Sequence, residues 1–204
     1  MTEREKMVAG MLYDAGDSEL AQLRRKAHRL CHKYNALYED EPARDSLLRK
    51  LLPNASEEIY LQGPIYFDYG INTYIGGDFY ANFNLTVLDV APVTIGHNVQ
   101  FGPNVSLVTP VHPLRWQDRN EHLWPDGRVA LLEYAKPIEI GDNCWLASNV
   151  IVQGGCRIGA GSVIGAGSVV TRDIPPDVFA AGVPCRVVRP ITEADALSLK
   201  ALFA

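Results

Sequence analysis

Apolar residues fall at Leu20, Leu23, Ala27, Leu30, Tyr34 and Leu37, and this three-and-four spacing draws one stripe down a helix over residues 17–38. Asp17 or Ser18 stands where a cap is needed. A second helix is predicted over EPARDSLLRKLL, residues 41–52, with Pro42 at an early helical position and PNAS, residues 53–56, ending it. Both read as a lid or platform, not as a chemical centre.

From about residue 65 the pattern is neither helical nor alternating, and its period is six. Aliphatic residues recur at Ile140, Leu146, Val152, Ile158, Ile164 and Val170. Small or medium residues follow four positions later, at Cys144, Val150, Cys156, Ser162 and Ser168. Gly141, Ala147, Gly159 and Gly165 come directly after the aliphatic position, with Gln153 the exception. The same beat runs through Ile95, Phe101 and Leu107, and through Ile75, Ala81 and Val87, with a two-residue slip between the blocks. A six-residue unit is too short for a strand and a long crossover, but three units bend into a triangular coil. Ile140 is then expected to stack with Ile158, Leu146 with Ile164, and Val152 with Val170, at a strand spacing of about 4.8 Å.

The predicted fold is therefore mainly β, a parallel β-helix spanning 61–191. An N-terminal helical region (1–60) precedes it and a short C-terminal helix (192–204), capped by Thr192, follows. Its ends and outer walls cannot all be buried by one chain, so caps and association with further subunits are expected. The rhythm stops at His112, inside NVSLVTPVHPLRWQ (104–117), and resumes near Ile140. This implies that the prism wall is broken to release a loop (113–137) at the expense of a stacked strand. The histidine would then have rigid β-helix on one side and an adaptable loop on the other.

Composition narrows the classes. A net charge of −5 over 204 residues argues against a nucleic-acid partner. The N-terminus is charged from residue 3, and no segment nears the roughly 18 apolar residues of a membrane span, so a cytoplasmic location without membrane contact is expected. Cys31, Cys144, Cys156 and Cys185 are too scattered for a disulfide scaffold and form no CxxC pair for zinc. The glycines of GAGSVIGAG keep hexad phase with no strand–loop–helix around them, which excludes a nucleotide loop.

The hexads, together with YANFN (80–84), TPVHP (109–113), KPIEIGDNCWLASN (136–149) and GAGSVVTRDIPPDVFAAGVPCRVVR (165–189), closely resemble the galactoside and maltose O-acetyltransferases. Those are left-handed β-helix, hexapeptide-repeat enzymes that use acetyl-CoA. The resemblance covers nearly the whole chain and implies a homotrimer with active sites between subunits. It places His112 at the catalytic position, and a histidine suits a general base that takes the proton of a sugar hydroxyl, typically about 10²–10⁴-fold in rate. It places Asn82 near the acceptor hydroxyl and developing oxyanion, where an amide donor fits, against the plain reading of an asparagine bonded to its own turn. The resemblance also matches Asp14, Asp68, Tyr80 and Glu133 to substrate contacts, and the three acids among them accept hydrogen bonds from sugar hydroxyls well. For Asp14 a capping acid is nearly as good a reading, and the loop before Glu133 differs in length from the galactoside enzymes. Where those enzymes carry a second acid, Asp89 is followed by Val90, which counts against strict galactoside specificity. Ser148, Ala166, Thr171, Arg172, Arg186 and Arg189 match the coenzyme contacts, and the three arginines supply charge for its phosphates. No metal is required.

Other readings share parts of this pattern. A hexapeptide-repeat acetyltransferase acting on an amine or an antibiotic hydroxyl would keep the fold, coenzyme and base, but acids with Trp116 or Trp124 lean toward carbohydrate. A zinc carbonic anhydrase on this fold needs three convergent histidines, whereas His97, His112 and His122 lack a close pair. A non-catalytic scaffold would not need His112, Asn82 and the arginines together. A cysteine acyl-enzyme through Cys144 is disfavoured because Cys144 and Cys156 fall at inward positions, where a thiol is packing material.

Overall fold

In the computed structural model, residues 1–124, 127 and 129–197 are described. Their centre is a three-faced parallel coil. The first face stacks Asn54–Ala55, Thr73–Ile75, Val93–Ile95, Ile138–Ile140 and Arg157–Ile158. The second stacks Ile65–Phe67, Leu85–Leu88, Ser106–Val108, Ile151–Gln153 and Val169–Val170. The third runs from Ile59–Leu61 through Phe79–Ala81, Gln100–Phe101, Trp145–Leu146 and Val163–Ile164 to Val178–Ala181. Ile140 pairs with Ile158, Leu146 with Ile164 and Val152 with Val170, as the six-residue beat requires. All six are buried, as are Cys144, Val150, Cys156, Ser162 and Ser168 at the small inward positions. Each fully buried aliphatic side chain stabilises the coil by about 1.5–3 kcal/mol. Close stacking explains the glycines: a Cβ on Gly141 would lie 2.6 Å from the backbone nitrogen of Ala160.

Upstream, Ile75 pairs with Ile95 and Val87 with Leu107, twenty residues on instead of eighteen. The irregularity belongs to one corner, where the second face turns into the first. Val87 to Ile95 takes eight residues there and Leu107 to Ile140 takes 33, against six from Val152 to Ile158. The expected broken wall is not found. Ile138–Ile140 stacks directly on Val93–Ile95, Trp145–Leu146 on Gln100–Phe101, and Ile151–Gln153 on Ser106–Val108, so no strand is forfeited. The excursion leaves and rejoins at a corner where the chain already turns outward, and lengthening such a closed loop costs little. Asp89 braces the same corner. Fully buried, its carboxylate accepts from the Tyr69 and Asn72 N–H groups (2.8 and 3.2 Å) and from the Thr73 hydroxyl (3.0 Å).

Helix α1 (Glu3–Val8), with a capping box on Thr2, was not expected. Helix α2 (Ser18–Asn35) starts at Asp17, whose Oδ1 accepts from the N–H groups of Glu19 and Leu20. Helix α3 spans Ala43–Leu51. Ala27, Cys31 and Tyr34 of α2 and Leu48 and Leu51 of α3 join the same buried cluster as Leu61, Ile65 and Phe67 of the coil. Buried Arg44 ties the parts together, donating to the Tyr34 hydroxyl and to the carbonyls of Leu61 and Gln62 at 2.8–2.9 Å. At the other end Arg186–Pro190 returns antiparallel on Val178–Ala181. The C-terminal helix expected over 192–204 is a single 3-10 turn, Glu193–Asp195, in the described part, because Ala196 leaves helical dihedrals; residues 198–204 lie outside it. No described helix is long and apolar enough to cross a membrane.

Candidate active site

The excursion folds back on its own stem. Leu132–Ala135 pairs antiparallel with Pro110–Val111 on one side and with Tyr13–Asp14 on the other, placing Val111 opposite Tyr134 and Tyr13 opposite Glu133. This ribbon brings Glu133 to His112, with Oε2 3.6 Å from Nε2. The Tyr13 hydroxyl donates to the other carboxylate oxygen of Glu133. Burial, and next the hydrogen bond to Glu133, push the Tyr13 phenol far above its ordinary value, so it remains a donor. His112 is about half-exposed, at 47%, and borders an open cleft of about 600 Å³ with Arg119, Asn120, Glu121 and Leu131. Asp14 follows Tyr13 in the same strand, but its Oδ1 accepts from the Gly16 N–H at 2.9 Å, the turn-capping role weighed from sequence.

Asp68 stands at the same corner two coils earlier, directly after Phe67. Its Oδ1 lies 3.5 Å from Nε2 of His28, on α2, and the pair opens on a cleft of about 410 Å³ with His32, Tyr66 and Leu88. Burial raises the Asp68 carboxyl above its ordinary value, and His28 offsets part of that. The sequence singles out neither His28 nor Tyr13. Neither carries a local motif; each gains its role from a partner 40 and 120 residues away.

Asn82 lies at a different corner, between the third and second faces. Its Oδ1 accepts from the Phe83 N–H at 2.7 Å, and its amide nitrogen has no partner among the described residues. The turn-bonding reading thus holds for the oxygen and leaves the donor available. Tyr80 points outward from the third face and stacks on Tyr60, with ring centroids 5.9 Å apart. Ser148 and Ala166 occupy the same corner on later coils, and Gly167 N–H donates to the Ser148 carbonyl. Arg186 extends from the last strand of this face with its guanidinium on the Cys185 carbonyl at 2.7 Å. Arg189 is held by both oxygens of Asp195, at 2.8 and 2.7 Å, which draws the Asp195 carboxyl down to about 2. Its charge is already partnered. Thr171 and Arg172 are exposed and follow Val170, at the His112 corner.

The site residues read from sequence therefore divide between two corners separated by the second face. His112, Glu133, Asp14, Asp68, Thr171 and Arg172 stand on one. Asn82, Tyr80, Ser148, Ala166, Arg186 and Arg189 stand on or beside the other. Cys144 and Cys156 are buried, with Sγ atoms on the carbonyls of Gly159 and Val170, and burial raises both thiols, which fits packing and not nucleophilic attack. His97 accepts from the Gly77 N–H, and His122 lies 3.2 Å from the Asp118 carbonyl. No three metal-ligating side chains converge among the described residues.

A parallel coil built of six-residue units, three to a turn, with a histidine at a corner excursion and small residues along an open edge, defines the hexapeptide-repeat acyltransferases. The maltose acetyltransferase hexapeptide capping motif matches residues 6–56, and the bacterial transferase hexapeptide (six repeats) matches residues 137–172. The chain is 43% identical to the galactoside O-acetyltransferase of Escherichia coli over 96% of its length and 91% of that protein. It superposes on a maltose O-acetyltransferase from Clostridium difficile with a TM-score of 0.85 at 42% identity, covering 95% of this chain and 99% of the other. A galactoside acetyltransferase in complex with coenzyme A gives a TM-score of 0.86 at 42% identity, covering 96% and 94%. The chain belongs to the maltose and galactoside O-acetyltransferase family.

Proposed function

We propose that this protein transfers an acetyl group from acetyl-CoA to a hydroxyl of a neutral sugar, by direct attack in a ternary complex. The observation that carries this reading is the His112–Glu133–Tyr13 arrangement at the excursion, in a chain whose relatives act on galactosides and maltose. His112 takes the proton of the acceptor hydroxyl as its oxygen attacks the thioester carbonyl, and returns it to the departing thiolate. Glu133 orients the imidazole and offers an acceptor to a neighbouring sugar hydroxyl. The amide nitrogen of Asn82 donates to the oxyanion. The edge running past Ser148 and Ala166 suits a long pantetheine arm: it is lined by small residues, and a Cβ on Gly167 would meet nothing within 4 Å. Arg172 and Arg186 supply cations for the phosphates, and Arg189 joins them by exchanging Asp195 for phosphate.

The placement of His112 and Asn82 on different corners supports a complete site formed between subunits of a homotrimer, one supplying the histidine and its neighbour the asparagine. Release of coenzyme A thiol, followed with glucose, maltose, galactosides, amino sugars and chloramphenicol, tests the assignment. Sugar-dependent turnover should fall by about 10²–10⁴ in His112→Ala. Wild-type turnover in that variant would remove the base, and turnover confined to amines would move the acceptor class.

A further inference from the structure

The corner that carries Asn82 is a continuous ladder. The N–H groups of Gln62, Asn82, Gly102, Ala147 and Gly165 donate in turn to the carbonyls of Ala81, Phe101, Leu146, Ile164 and Ala180, at 2.8–3.0 Å. Successive corners are thus about one strand spacing, about 4.8 Å, apart. Ser148 and Ala166 lie on the coils after Asn82. On the coil before it, at Gly63 and Pro64, a cleft of about 670 Å³ opens between the coil and the C-terminal end of α2. It adjoins Asn82 directly: Phe83 forms part of its wall, and Asn84 N–H donates to the Pro64 carbonyl at 2.9 Å.

The lining has a distinct chemistry. Tyr38 is 81% exposed and Phe83 47%, two large aromatic faces with no packing role to account for their exposure. The Glu39 carboxylate accepts from the Gln62 side-chain amide, and the Asp40 carboxylate has no partner among the described residues. Aromatic faces cover the apolar C–H surface of a pyranose, and carboxylates and amides take its hydroxyls. The volume falls within the usual range of small-molecule sites, about 300–1,000 Å³; Arg44 also lines the cleft but is committed to the Tyr34 hydroxyl and two carbonyls, so the acids disfavour an anionic ligand.

We propose that this cleft is a second sugar subsite, which holds the ring of a di- or oligosaccharide next to the ring being acetylated. The inference rests on the sugar-acceptor reading above and deepens it: the coenzyme follows the ladder on one side of Asn82 and the remainder of the acceptor follows it on the other. An acceptor with a second ring then gains binding that a monosaccharide lacks.

Two measurements on the full-length protein test this with wild type, Tyr38→Ala and Asp40→Asn. In steady-state acetylation, wild type should favour maltose or maltotriose over glucose in kcat/KM by about threefold to tenfold, which corresponds to about 0.7–1.4 kcal/mol. The variants should lose that advantage while kcat/KM for glucose stays within about twofold. In saturation-transfer NMR with methyl maltoside, both rings should receive saturation in wild type and only one in Tyr38→Ala. No disaccharide advantage in wild type, an equal loss on glucose and maltose, or dissociation of the oligomer in Tyr38→Ala would each overturn the subsite. Saturation transfer lost in Tyr38→Ala, with no sugar acetylated by any form, would keep the saccharide site and overturn the acceptor reading instead.

Discussion

Glu133 stands beside His112 because two other strands hold it there, and the Tyr13 hydroxyl fixes the carboxylate from behind. A hydrogen bond to a charged group contributes about 1.5–3 kcal/mol, so Tyr13→Phe is expected to lower kcat by roughly ten- to hundredfold. The fold and the KM for acetyl-CoA should be little changed, because the phenyl ring still fills the same buried place. Steady-state kinetics with thermal melts check this, and a Tyr13→Phe enzyme with wild-type kcat would remove the role. Asp89 acts on stability. Burial holds the Asp68 and Asp89 carboxyls above the ordinary aspartate value. From about pH 4 upward the folded chain therefore binds more protons at these groups than the unfolded chain does, and their contribution to stability falls as pH rises. Asp89→Asn should flatten that slope while lowering stability by about 1–3 kcal/mol, through N–H groups left poorly satisfied. Urea midpoints across that pH interval measure both effects.

At the scale of the element, the corners carry as much information as the strands. Asn84, Asn104 and Asn149 all adopt positive φ, at 62°, 62° and 61°. Their side chains form a ladder, Asn84 Nδ2 to Asn104 Oδ1 at 2.9 Å and Asn104 Nδ2 to Asn149 Oδ1 at 3.0 Å. Asparagine tolerates this left-handed conformation and uses it to bond along the edge. Asn104→Ala loses both bonds and meets the backbone penalty, about 2–4 kcal/mol together. Asn104→Gly keeps the backbone and should lose less, a difference that chemical denaturation resolves. The irregular corner, between the second and first faces, shows the complementary behaviour. It takes eight residues on one coil and 33 on another without disturbing the stack above, which is why an excursion of that length can be carried there at little expense to the core.

For the whole molecule, the separation of His112 from Asn82 by a full face makes a direct prediction about assembly. His112→Ala and Asn82→Ala proteins, each inactive alone, should regain activity when unfolded and refolded together. With random mixing, about a quarter of the inter-subunit sites receive an intact histidine from one chain and an intact asparagine from its neighbour. Activity no higher than that of the separate variants would place each site within a single chain.

The period of six in the sequence determined the coil, its stacking partners and its buried residues, because each hexad repeats one local geometry and eighteen residues close one turn. The α2 stripe and its Asp17 cap were legible for the same reason: both are written within one or two helical turns. The sequence marked His112 by the interruption around it, but misjudged what the interruption does to the wall. Whether an insertion replaces a strand or leaves from a corner depends on where its two ends meet in space. The tertiary structure alone decided that Glu133 faces His112, that Tyr13 holds Glu133, that His28 pairs with Asp68, and that Asp195 occupies Arg189. It alone divided the candidate site residues between two corners. These contacts join residues with no common period, so nothing in the local pattern encodes them. They arise when the coil, the ribbon and α2 are packed against one another.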